Sequence, residues 1–314
     1  MPDLNVGGQA VIEGVMMRSE DRISTAVRRA NGEIEVKSED FISLTKRNKF
    51  LGLPIIRGAV SLVEMLSVGI RTLNFSASIA AEDIDIAEGK EPVKKKNNVV
   101  MGITAVIAFA IGIGIFFFLP LLFSSLLGVS KQALSFNLVA GVIRVAMFLL
   151  YVWGISRFGE FRRVFEYHGA EHKSIYAYES GDELLPEQAA KYTRLHPRCG
   201  TSFILIVAIF AILTYSISDT VFYLITGYPP ALFTRFLLHF SLLPIVAGIS
   251  YELLKLSGKT RDNKLTKIMI QPGLWLQRIT TQEPDLSQLE VALYALKSSL
   301  RMETAPVEAE AKTE

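Results

Sequence analysis

The sequence predicts a mainly α, polytopic helical membrane protein with about four transmembrane helices, a small N-terminal β element and cytoplasmic helices. Three observations carry this expectation. Of the 314 residues 50% are apolar, and the mean hydropathy of +0.33 exceeds what a soluble domain of this size carries. Charged residues crowd into some stretches and are missing from others, so the formal net charge of +2 conceals a strong segregation. Between Lys96 and Lys131 there is no charged residue at all, and such a stretch exceeds the about 20 residues that cross a bilayer core as a helix.

Four spans follow from this pattern. The first runs from Val99 to Phe123, and the second from Leu134 to Ile155 with Arg144 as its one interruption. The third runs from Thr201 to Ser218, and the fourth from Phe236 to Leu254, with His239 inside it and Pro244 bending or loosening it. The bundle thus covers 99–254 and includes a loop over 157–200 rich in His and Cys. Between Asp219 and Arg235 the chain is uncharged but holds Gly227, Pro229 and Pro230; an interfacial or re-entrant connection is expected over 220–234 rather than a fifth span. Lys90, Lys94, Lys95 and Lys96 precede the first span. Arg157, Arg162, Arg163, Lys173, Lys191, Arg194 and Arg198 fill the second loop, and Lys255, Lys259, Arg261, Lys264 and Lys267 follow the fourth span. The two opposite loops offer little beyond Lys131 and Arg235, so both termini and the 157–200 loop are expected in the cytoplasm.

Outside the bundle, residues 1–50 read as a cytoplasmic β element, with strands within Gln9 to Arg18 and Arg22 to Phe41 and a hairpin turn at Asn31-Gly32. Over 51–81 the charges Arg57, Glu64 and Arg71 recur every seven residues among Ile56, Val60, Val63, Leu66, Ile70 and Leu73. That is an amphipathic helix which lies in the membrane interface or packs on the bundle. A charged linker is expected over 82–98, cytoplasmic helices over 255–301 and a disordered tail over 302–314. Pro284 opens the last helix, whose Leu286, Leu289, Leu293, Leu296 and Leu300 share a stripe. The single cysteine, Cys199, excludes an internal disulfide framework and suits a reducing compartment. No secretory signal peptide is expected in Met1 to Asn31. No concentrated basic face points to nucleic acid.

His168, His172 and His196, three of the four histidines, fall with Cys199 in the 157–200 loop. Glu160 to Tyr178 reads as a helix ending near Gly181, and on it His168 and His172, four apart, present two imidazoles to one ion with Glu171 beside them. His168-Gly169-Ala170-Glu171-His172 fits H-x-x-E-H, the inverted zincin pattern. There, two histidines hold zinc, the ion lowers the pKa of water, and the carboxylate accepts the proton. The pattern needs a third ligand, for which His196, Cys199, Glu179 and Glu252 are candidates. The competing structural reading has these histidines bonded to carboxylates or lipid phosphates at the interface.

His196-Pro197-Arg198-Cys199-Gly200-Thr201-Ser202 leads into the third span. Thr201 or Ser202 is placed to cap that helix, whose positive end favours a thiolate at Cys199. Cys199 is then a soft metal ligand or a nucleophile with a histidine as base, against its reading as a small packed residue. Near the start, Glu13 stands alone in an apolar strand, placed to reach a metal or to pair with Arg18. Gly7 and Gly8 read as turn residues, since no phosphate-loop pattern follows them. Arg144 and His239 are expected to face the bundle interior, because exposing an ionisable group to lipid is costly.

Four blocks together resemble the signature blocks of the YqhQ-like bacterial membrane family: Gly7 to Arg18, Glu166-Tyr167-His168-Gly169-Ala170-Glu171-His172-Lys173, His196 to Phe203, and the run from Gln271-Pro272-Gly273-Leu274-Trp275-Leu276-Gln277-Arg278 to Leu293. The resemblance covers most of the chain apart from the linker and tail. It implies the bacterial cytoplasmic membrane, a family of unknown function, and its common label of predicted metal-dependent enzyme, hence a metal site in the His and Cys blocks. The leading expectation is a cytoplasm-facing site for a divalent transition metal, zinc foremost, with His168, His172 and His196 or Cys199 as ligands and Glu171 as base. It would serve a hydrolase acting on a membrane-embedded or lipidic substrate. The rivals are a non-enzymatic scaffold, assembly factor or transport-related protein that binds a membrane protein or lipid, and acyl transfer through Cys199. The expected partners are the bilayer and a membrane-protein or lipid partner, with a homo-oligomer left open.

Overall fold

A computed structural model describes residues 6–90, 98–129, 133–197, 199–259 and 263–302. The stretches 91–97 and 303–314, expected as most of the linker and the tail, lie outside the described residues, as do the side chains of Thr201 and Ser202 and their expected capping.

Strands β1 (Gly7–Val11), β2 (Gly14–Arg18), β3 (Arg22–Arg28) and β4 (Ile34–Asp40) form an antiparallel meander in the order β1-β2-β3-β4. The expected stretch Gln9 to Arg18 is two strands rather than one. Val11 pairs with Gly14, so Ile12 and Glu13 form a two-residue turn with Glu13 at φ 50°. Glu13 holds that conformation while its carboxylate takes the Arg163 guanidinium at 2.5 Å, not Arg18. Asn31-Gly32 turns β3 into β4 as expected, with Gly32 at φ 90°.

Strand β2 reads Gly-Val-Met-Met without polar alternation, because both faces of the sheet are covered. On one face Met16 and Ile23 pack on Val68, and Val11 and Val27 on Ile79. On the other, Val15, Met17 and Ala26 join a core with Tyr167, Ala170, Leu289, Leu293 and Leu296. Segments that the sequence separates by more than two hundred residues thus form one layered unit. Arg28 reaches Glu290 at 2.6 Å, and Ser19 donates to the Ser299 carbonyl at 2.7 Å.

The helices follow in chain order. Helix α1 (Leu44–Arg47) is capped by Ser43, and α2 (Ile56–Ala87) covers the sheet. Helix α2 outruns its expected end by absorbing part of the linker, because Arg29 anchors its last turns through Glu82 at 3.2 Å and Asp83 at 2.9 Å. Its buried Glu64 accepts from the Ser43 hydroxyl at 2.7 Å and the Leu44 N–H at 2.6 Å, while Val63, Leu66, Ile70 and Leu73 stay exposed. Helix α3 (Asn98–Ile113), a π turn (Gly114–Phe118) and α4 (Leu119–Leu126) make the first span. Pro120 has no N–H for the Phe116 carbonyl four residues back, so the ladder widens, and Arg144 Nε donates to that carbonyl at 3.0 Å.

Helix α5 (Ala133–Ile155) is the second span. Helices α6 (Gly159–Ser180), α7 (Pro186–Ala189), α8 (Gly200–Thr226), α9 (Leu232–Ser241), α10 (Leu243–Lys259), α11 (Lys264–Thr280) and α12 (Leu286–Ser299) complete the described residues. Among the described residues three helices are long and apolar enough to cross a membrane, within Val106–Leu126, Leu134–Ile155 and Val207–Thr226; α9 and α10 make a fourth if the pair, bent by 47°, is one span. The break precedes Pro244, which cannot donate to the Phe240 carbonyl. Helix α10 is joined to α2 where Gly58 meets Gly248: a Cβ on Gly58 would stand 2.8 Å from the Gly248 Cα, so only glycine lets the backbones approach this closely.

The expected connection over 220–234 is shorter than the sequence suggests. Helix α8 continues through Asp219 to Thr226, and α9 starts at Leu232. Asp219 does not end the span because its charge is matched inside the bundle. It accepts from Asn137 Nδ2 at 2.9 Å and His239 Nε2 at 3.0 Å, and pairs with Arg235 Nε at 3.0 Å. All four residues are at most 3% exposed. Asp219→Ala removes the carboxylate that Arg235 and His239 share and is expected to cost about 3–5 kcal/mol. Denaturant unfolding in detergent reads this loss, with Ile217→Ala on the outward face changing stability by no more than about 0.5 kcal/mol.

Candidate metal centre

Helix α6 forms where its apolar and histidine spacing predicts and ends at Gly181, which takes the left-handed conformation. It sets His168 and His172 one turn apart, with ring centroids separated by 4.5 Å. Each Nδ1 meets a backbone carbonyl: His168 that of Thr280 at 2.8 Å, His172 that of Arg194 at 2.5 Å. A carbonyl only accepts, so both Nδ1 atoms carry the hydrogen and both Nε2 atoms keep a lone pair. His168 Nε2 lies 3.3 Å from Cys199 Sγ, and Cys199 also contacts His172.

The ligand atoms of His168, His172 and Cys199 all lie within 4.8 Å of one another. A tetrahedral zinc site with bonds of about 2.0–2.3 Å needs separations of roughly 3.3–3.8 Å, within reach of small rotamer changes. His172 Nε2 is buried and faces Cys199. Burial also holds the His172 imidazole below its usual pKa, which keeps that lone pair at neutral pH. Donation of the other ring nitrogen to a backbone carbonyl is the arrangement found behind metal-bound histidines.

Two glycines make this geometry fit. The Glu171 carboxylate accepts the Gly8 N–H of β1, and burial pushes its pKa up against the opposing pull of His168 and His196. A Cβ on Gly8 would stand 2.6 Å from the Met16 carbonyl and 2.9 Å from Glu171 Cγ. Gly8 is therefore a strand residue that lets the backbone meet a carboxylate, not the turn residue expected. A Cβ on Gly169 would stand 2.1 Å from the Gln282 carbonyl, where the Gln282 N–H donates to the Phe165 carbonyl at 2.8 Å.

The remaining candidates lie apart from the three ligand atoms. His196 is clamped by Gln277, which takes its N–H at 2.7 Å and donates to its carbonyl at 2.8 Å. Its ring is 5.6 Å from that of His172 and 3.8 Å from Glu179. Glu13 is bound to Arg163 across the sheet edge, and Glu252 to Arg57 on α2. Neither joins the cluster. Gln277, Thr280 and Arg194 position the site without appearing among the sequence candidates; Gln277 at least falls inside the block Gln271 to Arg278.

Fold and cluster together define a polytopic helical membrane protein whose extramembrane layered unit carries a His/His/Cys group, with His172 and Cys199 buried and His168 partly so, at the entry to a span. The family described as a protein of unknown function (DUF1385) matches residues 53–302, and the chain belongs to it. The uncharacterized protein YqhQ of Bacillus subtilis (strain 168) is 33% identical over 311 residues, 95% of this chain and 92% of that protein. No solved structure matches. Neither match names a metal or an activity, so that expectation stands on the geometry.

Gly169→Ala forces the α6 and 282–284 backbones apart and is expected to destabilise the protein by about 1–3 kcal/mol. Gly7→Ala, whose Cβ meets nothing within 4 Å, leaves stability unchanged; thermal unfolding in detergent compares the two.

Proposed function

We propose that His168, His172 and Cys199 hold a divalent transition metal, with zinc the ion that this donor set fits, and that the site serves hydrolysis of a membrane-embedded or lipidic substrate. The observation that carries the reading is the pair of Nδ1 contacts to the Thr280 and Arg194 carbonyls, which turn two lone pairs toward one thiol. Three protein ligands leave a coordination position for substrate, the pattern of catalytic rather than structural zinc. When bound, the ion supplies Lewis acidity to a carbonyl or phosphoryl oxygen.

Glu171 stands beside the ligands, held by Gly8, and is assigned the proton-accepting role. Cys199 directly precedes α8, so a substrate reaching the site has apolar helix beside it. The basic residues of the loop, from Arg157 to Arg194, support a cytoplasmic location for the site and both termini.

The exposed Val63, Leu66, Ile70 and Leu73 of α2 favour a second reading, a non-enzymatic scaffold that binds lipid or a membrane protein. Two measurements separate them. Metal analysis of detergent-purified protein should find about one zinc per chain, lost in His168→Ala and in Cys199→Ser; a metal-free wild type ends the first reading. In cells, Glu171→Gln is expected to abolish function if the site is catalytic. If Glu171→Gln keeps function while Leu66→Glu with Ile70→Glu abolishes it, the scaffold reading stands instead.

A further inference from the structure

A second group of polar side chains lies inside the bundle, away from the His/His/Cys cluster. Arg144 is the eleventh residue of the 22-residue span Leu134–Ile155, about 16 Å of helix from either end. At that depth an arginine stem does not reach the interface and the charge is most costly. Its Nε donates to the Phe116 carbonyl, and its guanidinium lies over the rings of Phe117 at 4.9 Å and Tyr215 at 5.8 Å. Among the described residues no carboxylate lies within ion-pair distance of it. Asp219, the nearest acid in the chain of contacts, is already paired with Arg235.

The carbonyl left open by Pro120 accounts for one of the five N–H groups of a guanidinium; the rest, on a half-buried side chain, remain to be satisfied. Behind Arg144, Tyr215 stacks on His239 with centroids 4.1 Å apart and planes 4° from parallel. Both residues are at most 2% exposed, and each keeps one buried polar atom without a hydrogen-bond partner, the Tyr215 hydroxyl and His239 Nδ1. Since His239 Nε2 donates to Asp219, Nδ1 is a lone pair in the neutral ring and an N–H in the charged one. Backbone irregularity flanks the group on two sides, the π turn Gly114–Phe118 and the break between α9 and α10. Non-helical backbone at membrane depth is tolerated where it lines a cavity or is buried in protein.

We infer that Arg144, Tyr215 and His239 form a binding site for an oxyanion, a phosphate or carboxylate, carried at membrane depth. Arg144 supplies the charge and a forked pair of donors and Tyr215 a hydroxyl donor, while His239, tied to Asp219 through Nε2, holds the Tyr215 ring by stacking on it and the Asp219–Arg235 pair stays neutral beside them. The oxyanion belongs either to a lipid or to a free solute. This assignment is independent of the metal reading, since none of its residues touches His168, His172 or Cys199.

Native mass spectrometry of the detergent-purified full chain tests it, with phosphatidic acid and phosphatidylcholine of matched chains as probes and inorganic phosphate as competitor. The wild type is expected to retain phosphatidic acid about tenfold better or more, the scale of a charge-assisted hydrogen-bond set. Tyr215→Phe, which keeps the ring stack, should lower the preference several-fold, and Arg144→Gln should abolish it. Arg144→Lys should keep part of it, and Ile217→Ala, on the outward face, all of it. If excess inorganic phosphate displaces the lipid, the site takes free oxyanions; if it does not, the lipid is the ligand, and both outcomes support the site. No headgroup preference in the wild type, or a preference that Tyr215→Phe and Arg144→Gln both leave intact, overturns it.

Discussion

The extramembrane unit depends on the close seating of one helix, α6, among three neighbours. Its Tyr167 and Ala170 face enters the core shared with α12 and the sheet, Glu171 meets the backbone of β1, and His168 is tied to the end of α11. Protein interiors are packed too densely for such a helix to shift without moving its surroundings. The histidine pair is therefore fixed as much by contacts that contain no histidine as by its own bonds to Thr280 and Arg194, and Gly8 and Gly169 are as much a part of the geometry as the ligands.

Much of the membrane architecture was legible because uncharged length is a one-dimensional signal. The span Leu134–Ile155 carries through with the bounds read from its residues, and Pro244 marks the break between α9 and α10. Legibility failed where a charge is neutralised from a distance. Asp219 reads as the end of a span until Asn137, Arg235 and His239 are placed around it, and Arg29 extends α2 past its apparent limit from another element.

The same contrast runs through the site. Four-residue spacing on a helix brought His168 and His172 together, and Cys199 joined them from the next element, as its position before a span suggested. Their anchors were hidden because the Thr280 and Arg194 contacts run through backbone carbonyls, which no residue identity announces. The early carboxylate Glu13 and the late one Glu252 looked like ligands only because their arginine partners, Arg163 and Arg57, are remote in sequence.

The layered unit has a consequence for how the chain is made. Its sheet precedes every span in the described residues, yet Val15, Met17 and Ala26 find their cover in α12, which follows them. Contacts such as Ser19 with Ser299, 280 residues apart, close only after the spans are threaded, and they carry the entropic delay of long-range pairing. Until then the sheet presents an apolar face. In a chain whose synthesis has not passed the bundle, that side of the sheet has no cover from α12.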